Sequence, residues 1–311
     1  RVNTQINTSK TNTIYSLSYT DPYFTPDGVS RGFDVYRRDV DTSENDNIGT
    51  YNSQSYGAGV RFGLPLSEKD FLSAGLTADF TKVDLRSDSP KQYLDFCGNS
   101  SGCTSNSLQL SGSWTHDSRD NTLFPNKGVL QRVSAEVSLP VLDLEYYKID
   151  YKHAWFKDVT KDVTFMLNGE LGYADYYGNK EYPFFKNFYV GGVNSVRGYA
   201  NGSIGPRDFD PGTNEDFAVG GTTRIVGNAE VFIPVPLIKK SSQFRLSAFV
   251  DAGNVYGNNQ SIDLGELRYG AGVGVSWFSP FGPLKLVFAK ALNAKDTDDT
   301  QTLQFQLGSQ F

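Results

Sequence analysis

Arg197, Glu230 and Asp251 are the residues whose types and spacing allow the strongest chemistry in this sequence. An arginine presents a planar fork of donors that two carboxylates can fill, which fixes one segment against another and moves no proton. Arg197 stands in Phe184-Phe185-Lys186-Asn187-Phe188-Tyr189-Val190-Gly191-Gly192-Val193-Asn194-Ser195-Val196-Arg197-Gly198-Tyr199, aromatic, glycine-rich and without helical or strand periodicity. Such a stretch reads as a loop with a fixed job. The plain alternative is a surface arginine and two solvated acids.

Other chemistry is thin. His116 and His153 fall on different predicted strands without metal-ligand spacing, and no G-x-S-x-G elbow, Walker loop or Cys/His pair is present. Gly270, Gly272 and Gly274 alternate with Ala271, Val273 and Val275 as a strand face does, whereas a phosphate loop would cluster them. Asp208, Asp210 and Asp216 flank a Pro-Gly turn but lack the full calcium-loop pattern, so a solvated loop is the better reading. The expectation is therefore no enzyme, no catalytic residue, no metal and no cofactor. Cys97 and Cys103 lie in a turn-rich run, Phe96 to Thr104, which favours a disulfide-closed loop outside the cytoplasm over free or metal-binding thiols.

The elements that must position these residues are strands. The chain is only 38% hydrophobic and carries 31 glycines, a poor composition for a large helical core. No apolar run approaches the roughly 20 residues of a membrane-spanning helix, but barrel strands need only about 10 and alternate apolar with polar. A net charge of −6 with no basic stripe excludes nucleic-acid binding. Period-2 alternation runs through the whole sequence, as in Leu72, Ala74, Leu76, Ala78 and Phe80 against Ser73, Gly75, Thr77, Asp79 and Thr81. Repeated from Val2–Thr8 to the last segment, it gives about fourteen strands, an even number as single-chain bacterial barrels require. The predicted fold class is all-β, a transmembrane antiparallel β-barrel over residues 1–311. A soluble β-sandwich also alternates, but rarely ends strand after strand in Tyr, Phe or Trp.

Connections alternate between short (21–28, 65–70, 158–161, 234–241, 279–283) and long (40–50, 86–106, 175–221, 254–265, 292–300), as periplasmic turns and outer loops do. This puts both termini on the periplasmic side. Parity then turns Arg224, Asn228 and Glu230 on one strand, and Arg245, Ser247, Phe249 and Asp251 on the next, toward the lumen. Glu230 and Asp251 thus sit on neighbouring strands where a loop 175–221 folded inward would meet them.

Val196-Arg197-Gly198-Tyr199 resembles the loop motif of the BamA family, barrel-forming subunits of the bacterial outer-membrane protein assembly machine. Thr20 to Ser30, Leu123 to Gly128 and Trp277 to Pro283 are similar to that family's periplasmic turns, in the family's order. The resemblance implies that Val196, Arg197, Gly198 and Tyr199 form a loop latch held by lumenal Glu230 and Asp251. It also implies that the last strand, with Leu303, Phe305, Leu307 and terminal Phe311, is half of a lateral gate. Gly308 would let that strand bend inward; a plain twist or bulge glycine is the alternative. About sixteen strands are expected for the family, so the first two strands and the preceding POTRA domains are read as absent, and the chain, which starts in a strand without Met or signal peptide, as part of a larger protein. Implied partners are unfolded outer-membrane barrel proteins, outer-membrane lipids including lipopolysaccharide, and Bam lipoproteins and periplasmic chaperones through the POTRA region. A TamA-like or two-partner secretion transporter is the alternative within the superfamily, and a porin-like channel the alternative outside it.

Overall fold

The computed structural model describes residues 1–9, 11–43, 45, 47–209, 216–233, 244–258, 260–279 and 282–308. In chain order the strands are β1 (Val2–Thr8), β2 (Asn12–Asp21), β3 (Ser30–Asp41), β4 (Asn52–Pro65), β5 (Asp70–Asp84), β6 (Gly102–Asp117), β7 (Gly128–Leu139), β8 (Tyr146–Asp158), β9 (Thr164–Tyr176), β10 (Gly198–Tyr199), β11 (Arg207–Phe209), β12 (Asp216–Ala218), β13 (Thr223–Ile233), β14 (Phe244–Tyr256), β15 (Arg268–Ser279), β16 (Gly282–Ala291), β17 (Thr300–Gln301) and β18 (Leu303–Leu307). Fourteen of them form one sheet in the order β1-β2-β3-β4-β5-β6-β7-β8-β9-β13-β14-β15-β16-β18, antiparallel throughout. Each strand pairs with the next sheet strand in sequence, so the backbone N–H and C=O groups of the strands between β1 and β18 are satisfied within the sheet, as crossing a bilayer requires.

The period-2 pattern divides this sheet into two unlike faces. On β16 the side chain of Val287 is 0% exposed and that of its neighbour Phe288 is 61% exposed. Leu17, Val35, Phe80, Leu110, Leu171 and Val250 continue the exposed apolar face on other strands. The opposite face is polar and internally bonded: Ser55 with Thr81 at 2.7 Å, Ser73 with Ser113 at 2.7 Å, and the Tyr36 hydroxyl with Asp79. It encloses a cavity of about 470 Å³ reached by Ser111, Asp79, Glu136, Lys148 and Lys186. A sandwich would bury the apolar face and expose the polar one. Here the apolar face is the outer one, as lipid requires.

This inversion predicts a side-specific mutational cost. Leu171→Arg, on the lipid face, is expected to cost about 2–4 kcal/mol, and Ser111→Arg, facing the cavity, less than about 1. Equilibrium unfolding in lipid vesicles measures both, and equal costs would contradict the assignment of faces.

The long loops contain structure that alternation does not register. Between β5 and β6 a short helix, α1 (Lys91–Phe96), precedes a disulfide between Cys97 and Cys103, so the pairing expected from the turn-rich run is formed. Tyr93 of α1 stacks on Phe184 of the long loop at 3.9 Å between ring centroids, and Tyr51 meets both rings edge-on. At the other end of the sheet Arg245 of β14 donates to the Phe124 and Pro125 carbonyls at 2.9 Å and to the Asn126 side-chain oxygen at 2.7 Å, drawing the β6–β7 turn toward β14.

Candidate functional site

The segment between β9 and β13 turns inward and meets the polar face of the sheet. One contact is made at Phe184–Lys186, a single 3₁₀ turn. Lys186 pairs with Glu136 of β7 at 2.8 Å, and Lys148 of β8 donates to the Lys186 carbonyl at 2.8 Å. Lys148 also lies 4.0 Å from the centre of the Phe188 ring, a cation–π contact that ties the aromatic run to β8.

Another contact is built around Arg197. Register places Asn228 of β13 opposite Asp251 of β14, and Glu230 opposite Phe249. Glu230 and Asp251 are therefore diagonal neighbours on one face, within reach of a single guanidinium. Arg197 Nε donates to Asp251 Oδ2 at 2.7 Å, Nη2 to Asp251 Oδ1 at 2.7 Å, and Nη1 to Glu230 Oε2 at 2.8 Å. The Arg197 backbone N–H adds a further bond to Asp251 Oδ2 at 3.0 Å. The guanidinium lies 3.3 Å from the centre of the Phe249 ring. All three charged side chains are buried: Arg197 is 2% exposed, Glu230 3% and Asp251 0%.

Dry surroundings decide what this cluster can do. Burial opposes the Arg197 charge, but the Asp251 hydrogen bonds and the charges of Glu230 and Asp251 outweigh it, raising the guanidinium pKa above its ordinary value. Asp251 also accepts from Asn228 at 2.8 Å, so both its oxygens are occupied. A carboxylate so filled has no free lone pair aimed at a substrate, and the arrangement is a clamp. Among the described residues no group of three His, Cys, Asp or Glu side chains is placed to hold a metal.

The rest of the motif seals the contact. Val196 and Tyr199 are fully buried in the cluster that includes Val226 and Val255. The Tyr199 hydroxyl donates to the Tyr269 carbonyl at 3.3 Å and to Asn293 Oδ1 at 3.2 Å. Gly198 has φ +95° and lies on the Lys290–Ala291 backbone so closely that a Cβ would collide with it. Glycine is thus required there twice, by conformation and by space. On β15, Gly270 leaves room in the same way for the Arg197 carbonyl.

Four residues belong to this site without having been singled out for it. Asn228 donates to the Ser195 carbonyl at 2.6 Å as well as to Asp251, and accepts from Asn168 at 2.8 Å. Ser195 Oγ in turn accepts from the Gly191 amide at 2.8 Å. Phe249 forms the floor under the guanidinium, and Gln304 of β18 donates to the Tyr199 carbonyl at 2.7 Å. Strand parity turns Asn228 and Phe249 inward; what it lacks is the depth at which the loop stops. Leu303, Phe305 and Leu307 point outward and are exposed. Gly308 has φ +103° and donates to the Pro283 carbonyl at 2.9 Å, while Phe311 lies outside the described residues.

Comparison with known proteins gives a consistent picture. A family model described as the Omp85 superfamily domain matches residues 1–311. The outer membrane protein assembly factor BamA of Neisseria meningitidis serogroup B is 40% identical over 337 residues, covering 97% of this chain and 42% of that protein. The crystal structure of BamA from Haemophilus ducreyi lacking POTRA domains 1-3 matches with a TM-score of 0.90 at 28% identity, over 98% of this chain and 63% of that one. CdiB from Acinetobacter baumannii shares the fold at a TM-score of 0.57 and 17% identity, over 94% of this chain and 49% of its own. The chain therefore spans less than half of the curated relative, and its share of that relative is the barrel-like sheet with its inward loop. With one family model covering its whole length and a solved barrel matching its sheet, the chain belongs to the Omp85 superfamily and folds as a transmembrane antiparallel β-barrel.

Proposed function

We propose that this chain is the barrel domain of a BamA-like assembly factor in the bacterial outer membrane, where it folds and inserts other β-barrel proteins without nucleotide or metal. The observation that carries the reading is the buried Arg197 clamp, an inward loop fixed to the wall of a barrel 40% identical to an outer membrane protein assembly factor.

In this reading Val196, Arg197, Gly198 and Tyr199 latch the loop to Glu230 and Asp251, and β18 with Gly308 forms one side of a lateral gate. An incoming strand adds to that edge because unpaired N–H and C=O groups in hydrocarbon cost several kcal/mol each until they find partners. The clients are unfolded outer-membrane barrel proteins. Lipids, including lipopolysaccharide, contact the apolar outer face, and Bam lipoproteins and periplasmic chaperones act through POTRA domains of the whole protein.

The test is insertion of an unfolded outer-membrane barrel into vesicles carrying the full-length protein with its partner lipoproteins. Acceleration over empty vesicles is expected. No acceleration, together with steady ion conductance through the wild-type barrel, would replace this reading with a porin-like one.

A further inference from the structure

The final strand has two pairing partners. From Leu284↔Leu307 to Phe288↔Leu303 it pairs with β16 in one register, and the Ala289 amide still donates to the Thr302 carbonyl at 2.9 Å. The same register continued past Thr302 would bring Gln301 opposite Lys290 and Thr300 opposite Ala291. Instead Gln301 pairs with Gly198 and Thr300 with Tyr199, in the β10–β17 ladder. The Ala200 amide extends that ladder to the Asp299 carbonyl at 2.8 Å. Gly198 meanwhile rests on the Lys290–Ala291 backbone, so the loop strand lies against the segment whose pairing role it has taken.

Gln304 sits just below this fork. It faces inward opposite Val287 and is 3% exposed, while Leu303 and Phe305 on either side point to lipid. Its amide donates to the Tyr199 carbonyl at 2.7 Å, and its side-chain oxygen accepts from the Gly198 N–H at 3.4 Å. One primary amide thus bonds both the acceptor and the donor side of the loop strand's backbone.

We propose that Gln304 is a positioning residue that splices the loop strand onto the final strand and holds the long-loop end of that strand off β16, an inference that rests on the assembly reading above. Docking on the loop uses the backbone groups of Asp299 and Gln301, the continued β16 register would use those of Thr300, and Gly198 resting on Lys290–Ala291 keeps the two arrangements from holding at once. While Arg197 is clamped, the loop arrangement holds; once the loop leaves, the β16 register does. Loop docking and the register length of the gate strand are then one coupled equilibrium, and Gln304 is the bond that couples them.

Paired cysteines test the coupling without any client. Ala291→Cys with Thr300→Cys reports extension of the β16 ladder, and Leu286→Cys with Phe305→Cys, an existing register pair, reports that the fold is intact. Both pairs are placed in the full-length protein in lipid nanodiscs, with and without Gln304→Ala. A second variant, Gln304→Glu, keeps the length and the acceptor but lacks the amide donor, and stands in if the alanine variant folds poorly. Gln304→Glu, which loses the bond to the Tyr199 carbonyl, is expected to raise the 291–300 cross-linking rate about fivefold, the factor set by one net hydrogen bond, Gln304→Ala, which loses both bonds, by at least as much, and both to leave the 286–305 control unchanged. An unchanged 291–300 rate overturns the proposal, and so does a loss of the control cross-link, which would make Gln304 a support of the fold. Insertion activity does not enter the readout, so failure here is separable from failure of the assembly reading.

Discussion

Arg197→Ala is expected to leave a folded barrel whose loop no longer docks and whose insertion activity falls at least about tenfold. Removing one partner of a buried pair strands the other charges, at a cost of about 3–5 kcal/mol. Both Glu230 and Asp251 lose the cation that bonds them, in a site where neither reaches water and only Lys285 remains as a positive neighbour. A bias of that size shifts the docked-to-released ratio more than about a hundredfold. Client insertion measures the functional loss, and retained heat-modifiable migration on gels reports the fold. Adding Glu230→Gln and Asp251→Asn to an Arg197→Met variant separates the two consequences. Stability should recover in part, because neither acid is left unpaired and Lys285 is then the one charge remaining in the site, whereas insertion should stay low because the loop has still lost its fork. Wild-type insertion by Arg197→Ala would remove the clamp from the mechanism.

Gly198→Val is expected to release the same loop without touching a charge. A β-branched residue at φ +95° is strained by about 1–3 kcal/mol. Its side chain would also be driven into the Lys290–Ala291 backbone, a clash that adds about 1–3 kcal/mol more. Hydrogen exchange across residues 184–204 should rise to the level seen for Arg197→Ala, and insertion should fall with it. Protection equal to wild type would mean that the close approach of loop and strand is dispensable. Agreement between the two variants would assign the defect to loop position, since one removes charge and the other adds volume.

Much of this fold is legible in the sequence because its driving force is local. Alternation at period 2 is written residue by residue, so all fourteen sheet strands and the inward parity of Glu230 and Asp251 follow from it. The features that escape are those with no period to detect. Gly198–Tyr199 and Thr300–Gln301 are strands of two residues each, and their pairing joins segments about a hundred positions apart. The α1 helix, Lys91–Phe96, is six residues long with no side-chain cap, too short to display a helical face. Its contact with Phe184 depends on where two long loops fold, which neither loop encodes alone. Strand ends were also understated: β14 runs to Tyr256, and β6 begins at Gly102, so Cys103 is a strand residue.

The last strand carries two messages on opposite faces. Leu303, Phe305 and Leu307 speak to lipid, where one large apolar side chain serves nearly as well as another. Gln304, between the first two, speaks to a single pair of backbone groups on the loop. Drift along this strand is therefore expected to be lopsided, permissive at every second position and strict at the one between. A segment that looks like a generic address for the membrane is thereby tied to its own barrel, and a strand borrowed from another barrel would fit the lipid while leaving the loop without its anchor.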